Sequence, residues 1–179
     1  MLYSSSHMEN DAVLATAARM CAAARTAPKT RGIDNILTMV LVGDSKDELA
    51  DKMAEVNLRE FKTEEGSFTR DANNVRAAQA VVLIGVRTRA YAGLKYCSFC
   101  GYESCKACKD ADGRCAYIFI DLGIALSSAV SVAADDRVDN RIMYSIGKTF
   151  EEMEQAPKGV LWHGIPISVS GKNVFFDRK

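Results

Sequence analysis

Apolar residues near the start of this 179-residue chain recur at intervals of three and four, the spacing of a helix with one buried face. They cover residues 13–24, behind a segment (Ser-His-Met-Glu, residues 6–9) that has the form of a capping box led by Ser6. Pro28 follows, and the residue before a proline disfavours the helical conformation. The pattern therefore predicts a first helix that ends near Arg25.

Four more segments repeat the helical spacing. They cover residues 45–59, 70–78, 117–134 and 140–153. A second capping box at residues 45–48 marks the start of the first of these, and Asp139 is a candidate cap for the last. Residues 117–134 are small or apolar on every face, which indicates a helix that is buried all round.

Short runs of β-branched and aliphatic residues alternate with these helices. Residues 36–42 and 80–86 are the clearest, because a strand buried on both faces is apolar throughout. Two shorter candidates, 160–163 and 165–169, lie near the C-terminus. Strands and helices intermix without a linker or a repeat. The sequence therefore predicts one α+β domain over residues 1–179, with a central sheet flanked by helices.

Charge and hydropathy exclude several classes of partner. The 23 Lys and Arg residues balance 23 Asp and Glu residues, so composition offers no basic footprint for nucleic acid or for an anionic membrane. The longest uncharged apolar stretch, residues 122–134, is shorter than the roughly 20 residues that span a bilayer. The N-terminus lacks the basic start and apolar core of a signal peptide. We expect a cytoplasmic protein that binds neither nucleic acid nor membrane.

The cysteines are the unusual feature of the composition. Five of the six lie between Cys97 and Cys115, in the pattern C-x2-C-x4-C-x2-C-x6-C, and Cys21 lies on the first predicted helix. The expected reducing compartment disfavours disulfide bonds. Thiolates crowded into one segment, residues 95–117, indicate a metal site, because converging negative charges need a cation between them.

Two kinds of metal centre compete for this segment. Structural zinc takes four ligands, usually as two cysteine pairs that are well separated, whereas only four residues separate Cys100 from Cys105. An iron–sulfur cluster of the 4Fe–4S type is larger and suits thiolates from one wrapping loop. The spacing favours the cluster. Its predicted ligands are Cys97, Cys100, Cys105 and Cys115, with Cys108 as the alternate fourth ligand.

Around these residues the chain resembles a known domain. The segment Cys97-Ser-Phe-Cys100-Gly-Tyr-Glu-Ser-Cys105 is similar to the C-x2-C-G-[YF]-x2-C pattern of a small 4Fe–4S domain. That domain occurs in corrinoid iron–sulfur proteins and in the cluster subunit of membrane electron-transport complexes, where the fourth cysteine lies further along than Cys115 does here. The resemblance implies a 4Fe–4S cluster and a role in electron transfer.

A second resemblance covers nearly the whole chain. Residues 24–29, 121–125, 138–144 and 171–178 match features of a family of uncharacterised prokaryotic proteins that contain a ferredoxin domain. More weakly, the chain is similar to nitroreductases, through the alanine-rich first helix, the strand at 36–42 and the helix at 121–134. This similarity implies a nitroreductase-like fold with a mainly antiparallel sheet, into which the cysteine segment is inserted, and by analogy a homodimer.

The similarity to nitroreductases also raises the question of FMN. Those proteins hold the FMN phosphate with arginines placed before the first helix, where this chain has none. Arg25, Lys29 and Arg31 are candidate replacements, since a phosphate needs fixed cationic donors. Arg141 is a further candidate contact for an anionic cofactor. The structural alternatives are a solvated loop for the first three and a helix cap for the Asp139–Arg141 region.

Three functions are consistent with these features. The first is a 4Fe–4S redox protein, an electron carrier or oxidoreductase served by a redox partner protein or a small-molecule electron acceptor. The second is an interaction module braced by zinc, and the third is an FMN-dependent reductase whose cysteines are structural. Tyr96, Phe99 and Tyr102 are expected to shield a cluster from water. Asp121 is expected to cap a helix or to pair with Arg141.

Overall fold

Four strands lie at the centre of the protein, which a computed structural model describes over residues 1–176. The strands are β1 (Ile36–Val42), β2 (Ala80–Arg87), β3 (Asp139–Asn140) and β4 (Val160–Ser168). They form one antiparallel sheet in the order β1–β2–β4–β3. β2 therefore has hydrogen-bonded neighbours along both of its edges.

Helices cover both faces of this sheet. They are α1 (Ser5–Thr26), α2 (Gly43–Phe61), α3 (Ser67–Ala77), α4 (Cys105–Asp110), α5 (Ala116–Asp135) and α6 (Tyr144–Phe150). α1 and α5 pack against one face, whereas α2, α3 and α6 cover the other. The predicted α+β architecture, a mainly antiparallel sheet flanked by helices, is confirmed.

The apolar run of β2 divides between two cores. Val82, Ile84 and Val86 point into the core beneath α1 and α5, while Val81 and Leu83 point into the core beneath α2, α3 and α6. All five side chains are fully buried. Because side chains alternate across a sheet, a strand covered on both faces needs apolar residues at every position. This burial explains why β2 was the clearest strand in the sequence.

Several predicted boundaries are wrong. Ser4, rather than Ser6, caps α1, since its Oγ accepts a hydrogen bond from the His7 N–H at 3.3 Å. The predicted helix over residues 140–153 is shorter, because β3 uses the first of these residues and α6 begins only at Tyr144. The two predicted C-terminal strands form the single strand β4. Pro166 lies inside it, beyond the two residue pairs that join β3 to β4.

By length and hydropathy α5 qualifies as a candidate membrane span, which the count of uncharged residues alone missed. Asp121 lies inside the helix and is buried, and it accepts hydrogen bonds from the Thr30 N–H at 3.0 Å and the Thr30 hydroxyl at 2.9 Å. Leu122, Ala125 and Ala129 pack into the core beneath the sheet. The apolar side chains of α5 therefore pack against α1 and β2.

Candidate metal centre

The cysteine segment connects β2 to α5 through a series of tight turns. Tyr96 (φ 57°), Ser98 (φ 46°) and Gly101 (φ 80°) adopt left-handed backbone conformations. Such conformations are uncommon for residues with a side chain, and they turn the chain sharply between Cys97 and Cys100. The predicted irregular segment is therefore a set of compact turns that lead into α4.

Two of the cysteines share one face of α4. The Ser104 Oγ accepts a hydrogen bond from the Ala107 N–H at 3.1 Å and so caps the helix, which begins at Cys105. Cys105 and Cys108 are three residues apart in the helix, a spacing that brings side chains together on the same side. This geometry gives Cys108 the position that the alternate fourth ligand requires.

Cys108 is the thiol around which the other cysteines gather. Its side chain is buried. Burial raises the pKa of the Cys108 thiol to about 11, together with the neighbouring Cys100 thiol and the nearby charges of Cys100, Cys115 and Cys105. Four of the five clustered cysteines therefore lie within electrostatic reach of one another.

Backbone N–H groups point at the sulfurs of this group. The Ala92 N–H donates to the Cys115 Sγ at 3.5 Å. Hydrogen bonding from the Tyr102 backbone lowers the pKa of the Cys100 thiol, an effect that burial only partly opposes, and the Ala116 backbone adds to it. Backbone donors stabilise thiolate charge. Sequence reasoning missed them because every residue except proline carries an N–H, whatever its side chain.

Cys97 occupies a different position. It is half-buried in the turn before Cys100, and no described hydrogen bond within residues 1–176 joins it to another cysteine. Over the same residues, no three His, Cys, Asp or Glu side chains meet closely enough to enclose a single metal ion. The structure thus gathers Cys100, Cys105, Cys108 and Cys115 without closing them around a point.

The chemistry of this donor set fits an iron–sulfur cluster. Two of its thiols, on Cys108 and Cys115, are buried, and like charges on neighbouring thiolates repel one another in the absence of a cation. N–H donors to sulfur and exclusion of water are features by which proteins tune such clusters. Cys21 stands apart from this set: it is half-buried on α1 and packs against the core, and burial raises the pKa of its thiol.

The predicted aromatic shield is only partly present. Tyr96 is fully exposed and Phe99 is 67% exposed, so the expectation that both exclude water is wrong. Phe99 instead stacks on the Tyr117 ring, with centroids 5.4 Å apart. Tyr102 is half-buried and its ring lies against Gly113, where a Cβ atom would come within 2.7 Å of it. Of the three aromatics predicted to shield a cluster, only Tyr102 is partly buried.

The cations predicted to contact flavin or another anion all bind the chain itself. Arg25 donates to the Ile36 carbonyl at 3.0 Å and pairs with Asp34 at 2.9 Å. Lys29 is nearly buried and donates to three carbonyls at the end of α1, the closest being that of Arg25 at 2.6 Å. These contacts account for both side chains without an anion.

Arg141 has a similar role at the other end of the chain. It donates to the Phe175 carbonyl at 3.0 Å and its guanidinium lies over the Phe176 ring. The alternative partner predicted for it, Asp121, is taken by Thr30. Arg141 therefore anchors the C-terminal segment, and residues 177–178 of the motif at 171–178 lie outside the described residues.

Comparison with protein families and curated proteins finds relatives without an established activity. Residues 111–178 match a family described as "Uncharacterized protein containing a ferredoxin domain (DUF2148)". An uncharacterized protein of Archaeoglobus fulgidus is 38% identical over 186 aligned positions, which cover 99% of this chain and 98% of the relative. The matched family segment includes Cys115 and α5.

Solved structures with the same fold include FMN-dependent nitroreductases. A mutant of the FMN and NADPH-dependent nitroreductase NfnB from Sphigopyxis sp. strain HMH superimposes with a TM-score of 0.64 at 10% identity, covering 92% of this chain and 82% of that one. The FMN-dependent nitroreductase NfnB from Mycobacterium smegmatis gives 0.58 at 12% identity, with 88% and 78% coverage. These likenesses confirm a nitroreductase-like fold.

Proposed function

Since this chain belongs to the family of uncharacterized proteins containing a ferredoxin domain, we propose that it is a redox protein with a 4Fe–4S cluster in its cysteine segment. The observation that carries the proposal is the placement of five cysteines in one segment, where Cys105 and Cys108 share one side of α4 and Cys108 and Cys115 are both buried. A cluster explains the accumulation, because iron neutralises the thiolates that would otherwise repel one another.

Four of the five cysteines would hold the cluster. In the sequence analysis Cys108 was the alternate to Cys115 for the fourth place. Because Cys108 and Cys115 are both buried whereas Cys97 is only half-buried, we propose that both are ligands, together with Cys100 and Cys105. The proposed set therefore replaces Cys97 with the alternate ligand from the sequence analysis.

The surrounding residues prepare the site for charge. When bound, the cluster supplies a centre that accepts and releases electrons. The N–H groups of Ala92 and Tyr102 hold negative charge at Cys115 and Cys100, and so favour the more reduced state. Burial of Cys108 keeps water from one side of the site. A redox partner protein or a small-molecule acceptor in the reducing cytoplasm would complete the reaction.

The composition of anaerobically purified protein tests this proposal. We expect about four iron and four sulfide per chain, with broad visible absorption, as for a cubane cluster. One zinc per chain, without iron or sulfide, would instead support the zinc-braced module and contradict the proposal. Iron-free protein with one bound flavin would support the FMN-dependent reductase.

Single substitutions test the choice of ligands. Cys108→Ser is expected to lose most of its iron, whereas Cys97→Ser keeps the wild-type iron and sulfide content. Cys21→Ser, outside the segment, is the matched control for loss of one thiol. Iron loss in Cys97→Ser together with retention in Cys108→Ser would reverse the assignment.

The fold favours the flavin reductase as the second candidate. Its structural neighbours are described as FMN-dependent nitroreductases. However, Arg25, Lys29 and Arg141 have partners within the chain, so FMN would need other cations for its phosphate. Flavin quantification in the same preparation decides between one redox centre and two.

A further inference from the structure

Two adjoining clefts open beside the cysteine segment, where β2 ends and β4 begins. Each has a volume of about 390 Å³, within the range of small-molecule sites. They share Lys158 and Gly159 as a common wall. One of the two clefts also reaches Arg114, the residue that precedes Cys115.

The lining of these clefts is strongly cationic. The five basic residues that line them, here named the basic cleft, are Arg87, Arg89, Arg114, Lys148 and Lys158. Glu151 is the acidic residue among the lining residues, and one of its oxygens accepts a hydrogen bond from the Trp162 N–H at 3.3 Å. In a chain with no net charge, so uneven a distribution produces a locally positive potential.

Three of these cations, Arg87, Arg114 and Lys158, have no ion-pair partner within residues 1–176, whereas Arg89 pairs with Asp112 and Lys148 lies 3.5 Å from Glu151. Arg87 and Lys158 line the same cleft. An anion placed between them would receive charge-assisted hydrogen bonds that the protein itself does not satisfy.

Hydrogen bonds hold the frame of the basic cleft in place. The Thr88 N–H and hydroxyl both donate to the Gly159 carbonyl, at 2.9 and 3.1 Å, and so tie the turn that carries Lys158 to the end of β2. Arg114 donates to the Thr88 carbonyl at 3.3 Å. Positions fixed in this way reduce the entropy lost when a ligand binds.

Apolar groups form part of the remaining lining. Phe119, Pro157 and Leu161 line the cleft that reaches Arg114. We propose that the basic cleft binds a small organic anion, an apolar ring or chain that carries a phosphate or carboxylate group. Inorganic phosphate alone would leave the apolar surface uncovered, and an uncharged ring would leave Arg87 and Lys158 without partners.

The place of the cleft gives the ligand a role. Arg89 binds Asp112 in the loop that leads to Cys115, and Arg114 belongs to that loop. If the proposed function holds, the organic anion is the small-molecule redox partner of the cluster. Only this role of the anion, and not its binding, rests on the proposed function. Binding itself needs only the cations and the apolar floor.

Calorimetric titration of the full chain with 1-naphthyl phosphate tests the inference, with 1-naphthol and inorganic phosphate as the two half-ligands. We expect the naphthyl phosphate to bind more tightly than either. Lys158→Gln should weaken its binding by about tenfold, the effect of one lost charge-assisted contact. Lys52→Gln, which removes the same charge from α2 outside the cleft lining, should leave binding unchanged.

Equal weakening by both substitutions, or a wild-type affinity no higher than that for inorganic phosphate, would overturn the inference. Iron and sulfide are measured on the same samples. Specific binding by iron-free protein would sustain the organic-anion site while contradicting the proposed cluster. Iron-loaded protein that does not bind naphthyl phosphate specifically would sustain the proposed cluster and contradict the organic-anion site.

Discussion

Asp121 shows how a single buried carboxylate fixes the loop after α1. Both of its hydrogen-bond donors come from Thr30 in the turn that follows that helix. We predict that Asp121→Ala lowers the free energy of unfolding by about 1–3 kcal/mol, because it leaves buried donors without an acceptor. Denaturant unfolding followed by circular dichroism measures the change. Asp135→Ala, at the exposed end of the same helix, should change stability by less than about 0.5 kcal/mol.

His163 makes stability depend on pH. Burial lowers the pKa of its imidazole, and the charge of Glu151 only partly offsets this. Its Nδ1 is buried without a hydrogen-bond partner in residues 1–176. The folded state therefore holds the neutral imidazole. The contribution of His163 to the free energy of unfolding is complete above the ordinary pKa of about 6.5 and is lost as the pH falls below that value.

We predict that His163→Gln flattens this dependence. Wild-type protein should lose more of its unfolding free energy between about pH 7.5 and pH 5.5 than the variant does, because only the wild-type unfolded state gains a proton at this position. Urea titrations at both pH values provide the comparison. Identical losses in the two proteins would show that His163 does not titrate in this window.

At the scale of single residues, the sequence predicted which residues carry the chemistry better than it predicted the partners of those residues. Spacing placed the five cysteines in one segment, and burial of Cys108 and the donor at Ala92 emerged only in three dimensions. Arg25 and Lys29 were candidate anion ligands because an unpaired cation and a helix-capping cation look alike in sequence. The two roles are distinguished only by the acceptors in the folded chain, the Ile36 carbonyl for Arg25 and the carbonyls at the end of α1 for Lys29.

At the scale of elements, α6 packs on β4 through two glycines. A Cβ atom at Gly147 would come within 1.7 Å of the Trp162 carbonyl oxygen, and one at Gly164 within 2.0 Å of the Ile146 side chain. The first obstacle is backbone, so rotation of a side chain cannot relieve it. The helix can approach the strand this closely only because both positions lack side chains.

We predict that Gly147→Ala destabilises the fold by at least about 3 kcal/mol, the upper range for overpacking. Gly123→Ala is the matched control within α5. A Cβ atom at Gly123 would meet nothing within 4 Å, so alanine should stabilise that helix by about 0.5–1 kcal/mol. The midpoints of thermal and urea unfolding should move in opposite directions from the wild-type values in the two variants. Equal effects of the two substitutions would contradict the proposed contact.

The element boundaries show where local pattern stops being sufficient. β1 and β2 were predicted closely because both are short apolar runs, although only β2 is buried on two faces and β1, at the edge of the sheet, leaves Val40 and Val42 exposed. The helix predicted over residues 140–153 failed because Asp139 and Asn140 pair with β4, a contact distant in sequence. Apolar spacing within one segment carries no information about such a partner.

For the molecule as a whole, two cores lie on opposite faces of the sheet and contain most of the large buried side chains. One contains Met20 and Ile165, and the other contains Phe150 and Trp162. The cysteine segment is anchored on one side only, because Ala92, just before it, and Cys115, near its end, both belong to the first core. Most of the apolar burial that stabilises the fold is therefore independent of any metal.

This division predicts a local response to iron removal. Anaerobic chelation of the cluster should abolish amide protection over residues 93–114, because α4 is short and the turns before it depend on the thiolates for order. Protection of β2 and β4 should persist, since both strands are paired and buried. Hydrogen–deuterium exchange of chelated and mock-treated protein measures both regions. Loss of protection in β2 along with the segment would show that the metal centre stabilises the whole fold, and loss in neither would show that the segment is ordered without iron.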